Sequence, residues 1–196
     1  MKKLVLAIVM MVGLSKLSWS QEYKHGLGAQ VNFGLFNQQY NVPGVGDFSD
    51  IYGVPVGGFL YRASLAFDMG GATFCATTYP FLGFSYSSST LGGASIAIGA
   101  ELPILAEIYL GDADELCGFV GAGWTFAFLG SSGFGAGSIV GPEFDLGVQF
   151  PFFGQVIQLK GAFALGVNKG NIDPTYTYTK NSKMMFSFGG VYRFGV

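Results

Sequence analysis

The chain has 196 residues, room for one domain, with 50% hydrophobic residues, 11% charged residues, 32 glycines and a formal net charge of −2. A soluble domain carries about 25% charged residues, so this composition lacks the polar coat that water demands. Its many glycines and dispersed apolar residues equally exclude a helical membrane protein, and a single histidine with two cysteines leaves no cluster for a metal.

The first residues read as a secretory signal. Lys2 and Lys3 form a positive start, Leu4 to Leu14 an apolar run too short to span a bilayer, and Ser18 and Ser20 the small residues before a cut after Ser20. Residues 1–20 are expected to be a cleaved signal peptide and residues 21–196 the mature domain. Without Lys2, Lys3 and Lys16, seven Lys+Arg face twelve Asp+Glu, a net charge of −5. That balance excludes nucleic acid as a partner.

Beyond residue 20 no stretch offers about 18 continuous apolar residues. Eight segments instead alternate apolar and polar positions, which in a strand points them to opposite faces. In the first, Tyr23 to Phe36, Leu27, Ala29, Val31, Phe33 and Leu35 oppose Gln30 and Asn32. In the second, Val56 to Phe67, Phe59, Tyr61, Leu65 and Phe67 oppose Arg62 and Ser64. The third, Thr73 to Tyr86, is interrupted by Pro80. The fourth, Ala94 to Leu110, sets an unbroken apolar series from Ile96 to Leu110 against Glu101 and Glu107.

In the fifth, Leu116 to Leu129, Val120, Trp124, Phe126 and Phe128 lie over Gly121, Gly123 and Thr125. In the sixth, Ile139 to Phe150, Phe144, Leu146 and Val148 lie over Glu143, Asp145 and Gln149. The seventh, Val156 to Asn168, sets Ile157, Leu159, Phe163 and Leu165 against Gln158 and Lys160. The eighth, Met184 to Phe194, sets Phe186, Phe188, Tyr192 and Phe194 against Ser187 and Arg193.

Seven charges within these segments, Arg62, Glu101, Glu107, Glu143, Asp145, Lys160 and Arg193, all fall on the polar parity. A cation on a lipid-facing strand position near mid-bilayer costs about 2–4 kcal/mol, so the polar parity is assigned to a lumen and the apolar parity to lipid. The fold expected is all-β: an eight-stranded antiparallel up-and-down transmembrane barrel. Short connections at Asp68 to Ala72, Gly111 to Glu115 and Pro151 to Gln155 alternate with longer ones at Asn37 to Pro55, Ser87 to Gly93, Gly130 to Gly137 and Asn168 to Lys183. Outer-membrane barrels place short turns in the periplasm and long loops outside, so both termini are expected on the periplasmic side.

The run Glu101-Leu-Pro-Ile-Leu-Ala-Glu-Ile-Tyr-Leu-Gly111, the following Phe119-Val-Gly-Ala-Gly123 and the terminal Gly189-Gly-Val-Tyr-Arg-Phe194 resemble the small outer-membrane β-barrel domain proteins, a porin-like group common in Bacteroidetes. The resemblance implies insertion into outer-membrane lipid and delivery by the barrel-assembly machinery, which reads the C-terminal strand.

Glu143 and Asp145 lie two apart on the inward face, with Lys160 expected alongside Asp145. They suit an acid/base pair or an ion constriction, or a charge network that fills a narrow barrel, in which Arg62, Lys160 and Arg193 balance the acids. The balanced signs favour the filling network. His25, beside Tyr23 at the periplasmic end, reads as an interfacial ring and not a catalytic base. Cys75 and Cys117 are inward near the periplasm, where a disulfide is permitted, although a strand separates them.

Pro80 and Pro103 fall close together on neighbouring strands, where a paired weakness in the ladder would suit a lateral opening in the wall, and simple bulges that increase curvature explain the prolines equally well. The outer loops Asn37 to Pro55 and Asn168 to Lys183 mix aromatic and polar residues suited to a glycan or protein. Gly133, Gly135 and Gly137 form a flexible loop and not a phosphate cradle. The function expected is that of a non-enzymatic envelope barrel that needs no cofactor and binds through its loops. The alternative is a narrow channel or lateral conduit for small hydrophobic molecules.

Overall fold

A computed structural model describes residues 21–42, 44–89, 93–111, 115–132, 135–167 and 177–194. The expected signal peptide, much of the loop after Val167 and the final Gly195 and Val196 lie outside the described residues. The strands are β1 (Gln21–Val42), β2 (Gly46–Asp68), β3 (Thr73–Thr78), β4 (Phe81–Ser89), β5 (Gly93–Tyr109), β6 (Cys117–Ser131), β7 (Gly135–Phe152), β8 (Gln155–Gly166) and β9 (Thr177–Phe194).

All pairings are antiparallel, and β9 pairs back onto β1. Because β3 and β4 occupy one place between β2 and β5, the ring is eight strands round. Ladder partners followed once round from Lys24, through Ser64, Thr77, Leu105, Gly123, Glu143, Ala164 and Met185, return to β1 at Gly34. This stagger of ten residues, from position 24 to 34, tilts the strands and fixes a width that side chains can fill.

Alternation decides the two faces. Phe59 is 78% exposed and Leu82 71%, whereas their neighbours Leu60 and Phe81 are each 1% exposed. Exposed Leu27, Val31, Ile98, Ile104, Trp124, Phe126, Leu146, Leu159 and Phe188 form an outer wall of large apolar side chains, the inverse of a soluble protein and the surface of a transmembrane barrel. The ring closes as an eight-stranded antiparallel barrel of the expected class.

Five local expectations are corrected. Asn37 to Pro55 is not a loop: β1 and β2 stay paired in register up to Val42↔Gly46, so it is the outer end of a long hairpin. Similarly, β9 begins at Thr177, and Lys183, expected in a loop, is a buried inward residue of that strand. The turn at Pro151 to Gln155 contains only Phe153 and Gly154, both at positive φ (49° and 77°), because pairing persists to Phe152↔Gln155. That register sets Lys160 opposite Gly147 and not beside Asp145, whose partner is Ala162.

The fifth concerns the interior, whose outer half is apolar apart from Gln38 and Lys183. Phe36, Val54, Val56, Leu60, Phe81, Leu129, Ile139 and Met185 pack there as one buried cluster, with Phe36 and Tyr52 stacked at 5.1 Å. A lumen filled by side chains holds no water column to solvate, so its lining need not be polar throughout.

Candidate functional site

The half of the lumen nearest the short turns is built around Glu107 of β5. Its carboxylate accepts from Tyr79 Oη at 2.6 Å, Tyr109 Oη at 2.8 Å and Thr77 Oγ1 at 2.9 Å, and pairs with Arg62 Nη2 at 3.5 Å. Arg62 itself is 1% exposed and donates to Tyr109 Oη at 3.1 Å and to Tyr79 Oη at 3.3 Å. From the far wall, Gln158 Nε2 donates to the hydroxyls of Tyr79 (2.7 Å) and Tyr109 (3.1 Å). Nearer the rim, Arg193 Nη1 donates to Gln149 Oε1 at 2.9 Å, and Lys24 pairs with Glu22 at 3.1 Å.

The middle layer is differently satisfied. Glu101 accepts from Asn32 Nδ2 at 2.6 Å and Gln30 Nε2 at 2.8 Å. Lys160 places Nζ 3.9 Å from the centre of the Tyr79 ring, a desolvated cation–π contact, and 4.0 Å from Glu143. No hydrogen bond of good geometry reaches the carboxylates of Glu143 or Asp145 among the described residues. Asp145 lies directly over Gly121, the space a larger residue there would fill.

All seven charges singled out by parity are thus buried inside the ring, but they fall into separate groups. Arg62 joins Glu107, Lys160 approaches Glu143, Glu101 is held by amides, and Arg193 turns to Gln149. The donors Tyr79, Tyr109, Gln158, Gln30 and Asn32 were missed as partners, though their inward parity was readable. With the paired charges stacked below the apolar cluster, this interior can hold the wall together and seal it. Among the described residues no group of three His, Cys, Asp or Glu is placed to hold a metal ion.

Pro80 and Pro103 sit where expected along the wall. Pairing resumes in the same register on both sides of the break, Thr78↔Ile104 and Phe81↔Glu101, so Tyr79 faces Pro103 and Pro80 faces Leu102 with no bulge. Thr78 Oγ1 donates to the Pro103 carbonyl at 2.6 Å, and Tyr61 N to the Pro80 carbonyl at 2.9 Å. Two shallow grooves flank Leu102 on the outer wall. One, of about 430 Å³, is bordered by Ala63, Ala76 and Thr78, and the other, of about 470 Å³, by Pro80, Phe126 and Val140.

His25 lies on the outer face near the short-turn rim, 4.6 Å from Phe194 and 5.6 Å from Tyr23 between ring centres. Cys75 and Cys117 are buried and unbridged. Register explains why: Cys75 is level with Glu107 and, across it, with Gly121, two strands away and four positions from Cys117.

No family model matches the chain, and no curated protein matches it in sequence. Among solved structures, it is similar to Ail, the attachment invasion locus protein of Yersinia pestis, solved in complex with the heparin analogue sucrose octasulfate. That match has 11% identity over 88% of this chain and 99% of that one, with a TM-score of 0.44. It is also similar to the outer membrane protein OprG from Pseudomonas aeruginosa (10% identity, 88% and 98% covered, TM-score 0.43). A third is the outer membrane protease OmpT from Escherichia coli (11% identity, 91% and 98% covered, TM-score 0.36).

Proposed function

We propose that this chain is a sealed, non-enzymatic outer-membrane barrel that contributes to the envelope and binds an external glycan or protein through its outer end. The observation that carries this is the filled lumen. Large buried side chains occupy it from Gln149 and Gln158 at the periplasmic end to Phe36 and Leu129 near the outer end. Chemistry on a solute inside would need room that these side chains take, whereas β1 and β2 continue past the apolar wall into water.

In this proposal residues 1–20 direct export, β9 is the strand read by the assembly machinery, and Arg62, Glu101, Glu107, Glu143, Asp145, Lys160 and Arg193 are a structural network. The mature protein, residues 21–196, is expected to be electrically silent in planar bilayers, and steady single-channel conductance would overturn the sealed barrel. Cells producing a variant that lacks residues 168–176 or the hairpin tip are expected to lose attachment to glycan or protein surfaces. Unchanged attachment in both would overturn the binding role.

A second function, a lateral conduit for small hydrophobic molecules, is favoured by one observation. Pro80 and Pro103 remove two backbone donors from one patch of wall, and the two grooves flank that patch. Faster uptake of a hydrophobic dye by vesicles carrying the protein, abolished by Pro103→Val, would support it.

A further inference from the structure

Toward the outer end the ring is split along one seam. β2 and β4 pair only from Leu60↔Phe81 to Gly57↔Phe84. Yet β1 stays paired with β2 to Val42↔Gly46, and β5 stays paired with β4 to Ser89↔Gly93. Above Gly57 the two strands therefore continue without pairing to each other. The cause is Pro55. Continued register would set it opposite Tyr86, but proline has no N–H to donate. Its carbonyl instead accepts from Ser85 Oγ at 2.6 Å, and the ladder ends.

The same bond shows which backbone groups face the gap. The N–H and C=O of one residue leave the strand on the same side, and successive residues alternate. Tyr61 N bonds Pro80 and the Pro55 carbonyl bonds Ser85, both toward β3 and β4. Odd-numbered residues of β2 therefore turn their backbone to that side, so Asp47, Ser49, Ile51 and Gly53 present N–H and C=O along the open edge. Natural edges are usually blunted by lysine, proline or a bulge. From Asp47 to Gly53 there is no lysine or proline, and the ladder to β1 runs without a register shift. No strand among the described residues pairs with this side.

We infer that the outer edge of β2, residues 47–53, is a strand-acceptor site that takes an extended, neutral-to-basic polypeptide segment of a partner protein into the sheet. The inference rests on the binding role proposed above and names its partner class. Donors and acceptors repeat along the edge about every 6.8 Å, two residues of extended chain, which matches another strand and not a sugar ring. The stretch Gly46 to Val56 carries Asp47 and Asp50 and no Lys, Arg or His. A second copy would bring like charges together, whereas a basic segment would pair with them.

The test uses the mature protein in phosphatidylcholine/phosphatidylethanolamine nanodiscs. The probe is a fluorescein-labelled nine-residue peptide of alternating lysine and valine, alongside the same peptide N-methylated at every second residue. The expected result is binding of the plain peptide, with slowed amide exchange at Ser49, Ile51 and Gly53. The N-methylated peptide should bind at least about tenfold more weakly, a 1.4 kcal/mol difference. Ile51→Pro, which removes an edge donor and spares the ladder to β1, should weaken binding similarly, and Ile51→Val should leave it within about twofold.

Equal binding of the two peptides, unchanged exchange at those amides, or a dimer that protects the same amides without peptide would each overturn the inference. If Ile51→Pro fails to close the barrel, as read by gel mobility before heating, the N-methylated peptide decides alone. Attachment lost on hairpin deletion together with unchanged amide exchange would sink only the strand-acceptor site. Attachment unchanged in all deletions would sink the binding role itself.

Discussion

Gln158 of β8 reaches across the lumen and donates from Nε2 to Tyr79 Oη at 2.7 Å, on the residue where the wall is interrupted before Pro80. That hydroxyl in turn donates a hydrogen bond to Glu107 at 2.6 Å. The break between β3 and β4 is thus held from inside by the opposite wall, a cross-brace where the ladder is interrupted. Tyr79→Phe is expected to cost about 2–3 kcal/mol by leaving buried groups unpaired. A lower urea midpoint in detergent micelles, with faster amide exchange at Thr78 and Phe81, would show it.

Arg62 and Glu107 are both fully enclosed, and removing one partner of such a pair leaves an uncompensated charge. Arg62→Met is expected to destabilise the barrel by about 3–5 kcal/mol. Adding Glu107→Gln should recover more than half of that loss, because the amide oxygen still accepts from one tyrosine and the amide N–H can donate to the hydroxyl of the other. A double-mutant cycle of urea unfolding measures the coupling.

A side chain at Gly121 would meet the Asp145 carboxylate and come within 2.9 Å of Glu107 Cγ. Gly121→Ala is expected to cost about 1–3 kcal/mol as overpacking. Asp145→Ala in the same chain should remove most of that penalty, so the two changes are strongly non-additive in unfolding midpoints.

Phe153 holds φ 49° in the two-residue turn before Gly154 and is 90% exposed. A bulky residue there is strained, whereas Asn tolerates the left-handed region and Asn-Gly is the favoured pair for such hairpins. Phe153→Asn is expected to stabilise the protein in micelles by about 1 kcal/mol. A raised urea midpoint with an unchanged slope would register it.

The apolar cluster predicts that loosening the charges alone opens nothing. Arg62→Ala should stay silent in planar bilayers, while Phe36→Ala with Leu129→Ala should admit small ions. Conductance from the first variant would mean that the charges themselves were the seal.

Parity was the legible part of this fold, because lipid on one side penalises any misplaced charge and leaves a clean period of two. The signal failed where its cause disappears. From Asn37 to Val42 and from Gly46 to Pro55 both faces leave the lipid, so Gln38, Gln39, Asn41, Asp47 and Ser49 read as a loop although the backbone stays paired. The partners of the buried charges were unreadable for a different reason. Lys160 lies opposite Gly147 because the turn has two residues instead of five, and one position of slip changes every cross-strand neighbour. Likewise, nothing in the local pattern says that Tyr79 and Gln158, far apart in the chain, meet inside one narrow tube.

The layering of the interior bears on how such a wall can enter a membrane. If the chain is inserted from the side of its short turns, Lys24, Arg62, Glu107, Gln149, Gln158 and Arg193 end their journey in the half nearest their point of entry. The inward residues that travel furthest through hydrocarbon are mostly Phe36, Val54, Val56, Leu129 and Ile139. Charge is costly at mid-bilayer, so this gradient lowers the barrier to closing a partly inserted ring. It also leaves the polar outer end of the β1–β2 hairpin as the main cargo to be translocated.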